Sequence, residues 1–247
     1  MDRICKLCQE LAPLVRKSHI IPDFMYGGLR DAKGRMLFNR AGNDNVKGSY
    51  PIQSSFFDKY ILCYQCESKL SKLERYAAGV LYGGLNPEKN PIQFSNPIPN
   101  DDFVSIFVRG FDYVKLKLFF LSILWRAHIS INPFFREVIL EDIVEFELRQ
   151  MVAKDEAGNF DKYPVTVYGL RWDAERLLRV IAEPNVIKNE RVESVSFLIN
   201  GFLYQIGVVP SVEKTNPELY LSPLKDLEIR VIQPPLTKRL FISYLKG

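Results

Sequence analysis

Apolar and polar positions along this chain fall into two unlike halves. In the first, a short run ends in His19-Ile20-Ile21-Pro22, and Pro22 both stops an extended segment and holds Ile21 in extended geometry. A second strand-like run covers Phe56 to Leu62. Between them, residues 27–50 are rich in Gly, Asn, Asp, Lys and Arg, which predicts a polar, turn-rich, mobile loop. From Cys66 the spacing changes: Leu70, Leu73 and Tyr76 recur at three-residue steps, predicting a helix that ends at Gly79 or at Gly83-Gly84. Pro87, Pro91, Pro97 and Pro99 then make residues 85–101 the best domain boundary.

In the second half the pattern is stronger. Phe103–Val108 reads as a strand, and Asp112 is placed to cap a helix over Tyr113–Ile129 that is apolar on most sides and therefore central and buried. A helix over Glu141–Ala153 follows, with Glu141, Asp142 and Glu145 where the helix dipole favours negative charge. Strands are predicted over Val165–Leu170, Ser194–Ile199, Phe202–Val208 and Leu227–Ile232. Asn200-Gly201 joins the middle pair as a hairpin turn. The fold class expected is α+β in two parts: a small module over 1–84, a linker over 85–101, and a larger α+β domain over 102–247 with a buried helix and C-terminal antiparallel strands.

Composition adds little to this picture until charge is placed on it. With 47% hydrophobic and 25% charged residues the chain is an ordinary globular one, which excludes a disordered or fibrous protein. The formal net charge of +4 is uneven. Residues 1–75 carry 13 Lys/Arg against 8 Asp/Glu, and the remainder carries 20 against 21. The positive excess therefore belongs to the first part and suits a polyanion partner without requiring one. Leu116 to Trp125, the most apolar run, is too short and too charged to span a bilayer. Met1 to Cys5 carries no apolar leader, so a cytoplasmic protein is expected.

That expectation decides how the cysteines are read. All four lie in the first 66 residues, as Cys5-x-x-Cys8 and Cys63-x-x-Cys66. In a chain that is not exported, two such pairs separated by a long insert predict one tetrahedral zinc rather than disulfides. His19, one of two histidines, lies in the insert.

In order and spacing, Cys5-x-x-Cys8, His19-Ile20-Ile21-Pro22 and Leu62-Cys63-x-x-Cys66 resemble the four-cysteine kind of HNH, or ββα-metal, endonuclease. The resemblance covers residues 1–75. It implies a zinc-stapled ββα module of treble-clef kind, with Cys5, Cys8, Cys63 and Cys66 holding a structural zinc. His19 would be the general base that takes a proton from the attacking water, and an imidazole suits that task near neutral pH. The residue after the second pair, Glu67, would bind a catalytic Mg²⁺ or Mn²⁺, and the family's asparagine falls on Asp58, five residues before Cys63. The acid usual before the histidine is Ser18 here. Two carboxylates, Glu67 and Asp58, suit a hard cation.

The implied activity is metal-dependent hydrolysis of DNA, with a bacterial restriction or antiphage role and a regulatory protein partner by analogy. Lys69, Lys72 and Arg75 line one side of the first helix as candidate phosphate contacts. Blander readings stay open at this point: Glu67 as a helix-dipole carboxylate, Asp58 as a capping residue, the three cations as a solvated face. The alternatives for the whole protein are a zinc module that binds nucleic acid without cutting it and a protein-interaction adaptor. His128, inside the apolar helix, is expected to be a core or interface histidine and not a ligand.

Overall fold

The computed structural model describes residues 2–30, 36–38, 50–52, 55–83, 92–188, 193–208 and 216–246. The mobile loop expected over 27–50 therefore lies mostly outside the described residues.

The chain opens with two minimal hairpins. β1 (Arg3–Ile4) pairs with β2 (Leu11–Ala12), and β3 (Ser18–His19) pairs antiparallel with a distant strand, β6 (Phe57–Asp58), in the register Ser18↔Asp58 and His19↔Phe57. The insert between them contributes β4 (Met36–Phe38) and β5 (Tyr50–Ile52), which pair with each other. α1 (Tyr64–Tyr82) follows directly, starting two residues earlier than the cysteine spacing suggests and ending at Gly83, whose φ of 82° is the conformation that only glycine adopts freely.

The second part is built on one eight-stranded sheet. β7 (Gln93–Phe94) and β8 (Ile98–Pro99) both pair with β9 (Phe103–Arg109). Half of the expected linker thus belongs to the sheet edge. Proline can sit there because an edge strand need not donate every N–H. After β9 come α2 (Tyr113–Ile129) and α3 (Asp142–Lys154), then β10 (Val165–Leu170), β11 (Asn185–Lys188), β12 (Glu193–Ile199), β13 (Phe202–Gly207), β14 (Leu227–Ile232) and α4 (Pro234–Lys246).

The strand order is β11-β12-β13-β10-β14-β9-β7. All neighbours are antiparallel except β10 and β14, which run parallel, so the sheet is mixed and not the purely antiparallel one expected. Asn200 (φ 48°) and Gly201 (φ 84°) make the tight turn between β12 and β13, as their dipeptide predicts.

α2 is the hub. Every residue from Leu116 to Ala127 is buried, including Lys117 and Arg126, and α2 packs against α1, α3 and β13. One continuous core runs from Cys5 and Leu7 through α1 and α2 to Val231. Phe56 of the first part stacks on Phe134 of the second at 4.1 Å between ring centres. The two expected parts therefore share a core. α4 covers the far end of the sheet with Leu236, Phe241 and Tyr244 around Leu170, Leu198 and Ile232. Among the described residues no helix is long and apolar enough to cross a membrane.

Candidate metal centre and the histidine beside it

Cys5 and Cys8 sit in the turn between β1 and β2. Gln9 takes a left-handed conformation (φ 62°), and its amide donates to the Cys5 carbonyl at 2.9 Å, folding the loop back so that both thiols face one point. The second pair arrives from the other side. Cys63 is the N-cap of α1 and Cys66 lies in its first turn, three residues on. Backbone bonds from Lys6 to Ile61 and from Val15 to Leu62, each 2.9 Å, tie the two turns together, and the Cys63 amide points at Cys5 Sγ from 3.3 Å.

All four Sγ atoms lie within 4.8 Å of one another. Cys8 Sγ and Cys63 Sγ are 3.9 Å apart. A tetrahedral ion with metal–sulfur bonds of about 2.3 Å sets its sulfurs about 3.8 Å apart, so this cluster suits one metal ion such as zinc.

The electrostatics agree. Hydrogen bonding from the Cys66 thiol, helped by the amides of Cys8, Cys63 and Leu7, brings Cys5 down to about 4. The same partnership with an ionised Cys5, together with burial, pushes Cys66 far up, and burial raises Cys8. Thiolates this close oppose one another's ionisation, and a bound cation removes the conflict.

Immediately beyond Cys66, the first turn of α1 places Glu67 against Ser18 of β3. Glu67 Oε2 and Ser18 Oγ are both buried and neither has a hydrogen-bond partner among the described residues. Burial raises the Glu67 carboxyl above the usual carboxylate range, opposed by Ser18 and by the nearby Arg126 guanidinium. His19, next along β3, is half-buried, and its ring makes no hydrogen bond among the described residues. Its carbonyl is held instead: Arg126 Nη1 donates to it at 2.6 Å and to Glu74 Oε1 at 2.7 Å. Arg126 is 1% exposed and is the physical link between the central helix and the strand that carries His19. Sequence reading passes over Arg126 as a charged flank of the apolar run. The signal was there, since a cation in a wholly apolar helix must find buried partners.

Asp58 lies across from Ser18, but its Oδ2 accepts the Ile131 amide at 3.1 Å, and it is 5% exposed. It anchors the loop after α2. Among the described residues the four cysteines are the only group of three or more His, Cys, Asp or Glu side chains close enough to share an ion, so His19, Asp58 and Glu67 do not assemble into a second one.

Of the three cations expected on α1, Lys69 is engaged with the Ala153 carbonyl at 2.6 Å and Asp155 at 2.8 Å. Lys72 and Arg75 are exposed and unpaired among the described residues. Lys69 and Lys72 line a cleft of about 410 Å³ with Lys115, whose ammonium is itself paired with Asp112 at 2.8 Å. His128 accepts the Leu140 amide through Nδ1 at 3.1 Å, a structural role. Comparison with known protein families, curated proteins and solved structures finds no match to this chain.

Proposed function

We propose that this protein is a metal-dependent endonuclease acting on DNA phosphodiester bonds, with residues 1–83 forming an HNH-like ββα module stapled by a structural zinc on Cys5, Cys8, Cys63 and Cys66. One observation carries the reading. An imidazole with no hydrogen bond, on His19, adjoins a buried, unpartnered carboxylate oxygen, on Glu67, and strand, strand and helix hold both beside the cysteine cluster.

The chemistry assigned to each group follows from its surroundings. His19 in its neutral form accepts a proton from water as that water attacks phosphorus. Arg126, by fixing the His19 carbonyl, holds the strand in register without touching the reacting atoms. Glu67 Oε2 with Ser18 Oγ makes an oxygen pair that suits a hard divalent cation, which when bound supplies positive charge to the phosphate. Such a cation would also favour the ionised form of a carboxyl that burial alone disfavours.

A second reading is a nucleic-acid-binding module that does not cut. It is favoured by Asp58, whose carboxylate is already committed to the Ile131 amide, and by Ser18, which brings no charge. Glu67 is then the one carboxylate left for the cation.

Plasmid cleavage with added Mg²⁺ or Mn²⁺, run beside His19→Ala and Glu67→Ala, separates them. The nuclease reading expects cutting by the wild type and a loss of at least about 100-fold in either variant, the usual contribution of a general base. Salt-dependent binding with no cutting by the wild type supports the second reading instead.

A further inference from the structure

We propose that the cleft beside Trp172, on the opposite side of the sheet from α2, binds an unpaired nucleotide of a nucleic-acid strand. The inference deepens the endonuclease reading by assigning where part of the substrate strand lies away from His19.

The cleft lies between the segment that follows β10 and helix α4. It measures about 260 Å³ and is lined by Trp172, Arg176, Leu177, Arg179, Val180 and Phe241, among others. That is below the roughly 300 Å³ at which pockets for whole small molecules begin, so it suits one planar ring system.

Trp172 is 39% exposed, far more than the other tryptophan, Trp125, at 0%. Phe241 meets the indole edge-on, at 90° and 6.5 Å between centres, which holds its plane. Lys238 Nζ stands 5.4 Å from the indole centre. A base stacking on that face moves the Lys238 ammonium toward the adjoining phosphate. Arg179 and Lys238 are exposed and make no ion pair among the described residues. Arg176 is already forked onto Asp173, at 2.8 Å through Nε.

An exposed indole among free cations is what single-strand binding uses: stacking is indifferent to base identity, and cations track the phosphates. An acidic peptide would satisfy the cations but would gain nothing from the indole face.

Position supports the link to His19. The Arg179 guanidinium lies 3.9 Å from where a Cβ on Gly28 would be. Asn200, on the β12–β13 turn, donates its side-chain amide to the Gly27 carbonyl. Gly27 and Gly28 form the turn that follows the His19-Ile20-Ile21-Pro22 segment, so the cleft adjoins the same module.

The test is a titration of full-length His19→Ala protein, without added divalent metal, against an oligothymidylate of about 12 nucleotides, within the range of single-strand site sizes. Tryptophan emission is the readout, and since Trp125 is buried, any change reports Trp172. We expect quenching on binding, a roughly 5- to 100-fold loss of affinity in Trp172→Ala, and near-wild-type affinity in Trp172→Phe, which keeps a stacking ring. Arg179→Ala with Lys238→Ala should lower the salt slope by about 1. Unchanged emission at saturation, equal binding by Trp172→Ala, or equal binding of a blunt duplex or of polyglutamate overturns the assignment. The two proposals fail separately. Cleavage by wild type with a silent Trp172 sinks this one alone, whereas oligonucleotide binding through Trp172 without cleavage sinks only the nuclease.

Discussion

Among the described residues, no strand in the first 83 positions exceeds three residues, while β9 and β12 in the sheet run for seven each. The long strands exchange ladder bonds along their length and bury apolar side chains on the sheet, with β12 almost wholly buried. Two-residue strands such as β3 and β6 cannot hold themselves together by pairing. What orders them is the cysteine cluster at one end and attachment to α2 at the other. The site-bearing region is thus the one whose structure is borrowed, from a metal on one side and from the central helix on the other.

The largest way to test that contrast is to remove the metal. Cys63→Ser with Cys66→Ser should abolish the one zinc per chain and take with it a binding free energy of about 10–16 kcal/mol that is also folding free energy. Hydrogen exchange is the measurement. Amides of residues 3–20 and 57–66 should lose protection, and those of β12 and β13 should keep it. Equal loss in the sheet would show that the two regions fold as one unit.

The next test breaks the other attachment. Arg126→Met leaves Glu74 and the His19 carbonyl without their buried donor, which should cost about 3–5 kcal/mol in urea unfolding. Replacing Glu74 by Met as well should restore a large part of it, because both members of the pair are then gone. A cost under about 1 kcal/mol for Arg126→Met would show that the strand is held by the metal alone.

The smallest effect concerns Lys117, the second buried cation of α2, which donates to Tyr113 Oη at 3.1 Å and to the carbonyls of Lys162, at 2.7 Å, and Asn159. Burial lowers it from 10.5 to about 8. Between those two pH values the unfolded chain holds more protons than the folded one, so this group makes stability rise as pH goes up from about 8. Relative to Lys117→Met, the wild type should gain about 1–2 kcal/mol across that window, at 1.4 kcal/mol per pKa unit and discounted because three acceptors already solvate the ammonium. A flat difference would mean that the three acceptors cancel the desolvation.

How much of this was legible in advance depended on the range of the interactions. Local signals carried well. The Asp112 cap set the start of α2, and its side chain does accept the Lys115 amide at 3.0 Å. Asn200-Gly201 set the hairpin, and the cysteine spacing set the cluster. The helix over 234–246 is absent from the periodicity reading because Pro234 and Pro235 read as a stop, although proline is well placed in a first helical turn.

The sequence alone determined the elements, the four-cysteine cluster and the place of His19 on a strand, since these rest on capping, turn chemistry and period. Only the tertiary structure decided the roles of Asp58, Lys69 and Arg126. Each is a charged side chain whose partner lies 52 to 107 positions away in the chain, and no local pattern encodes which carbonyl, amide or carboxylate it will meet.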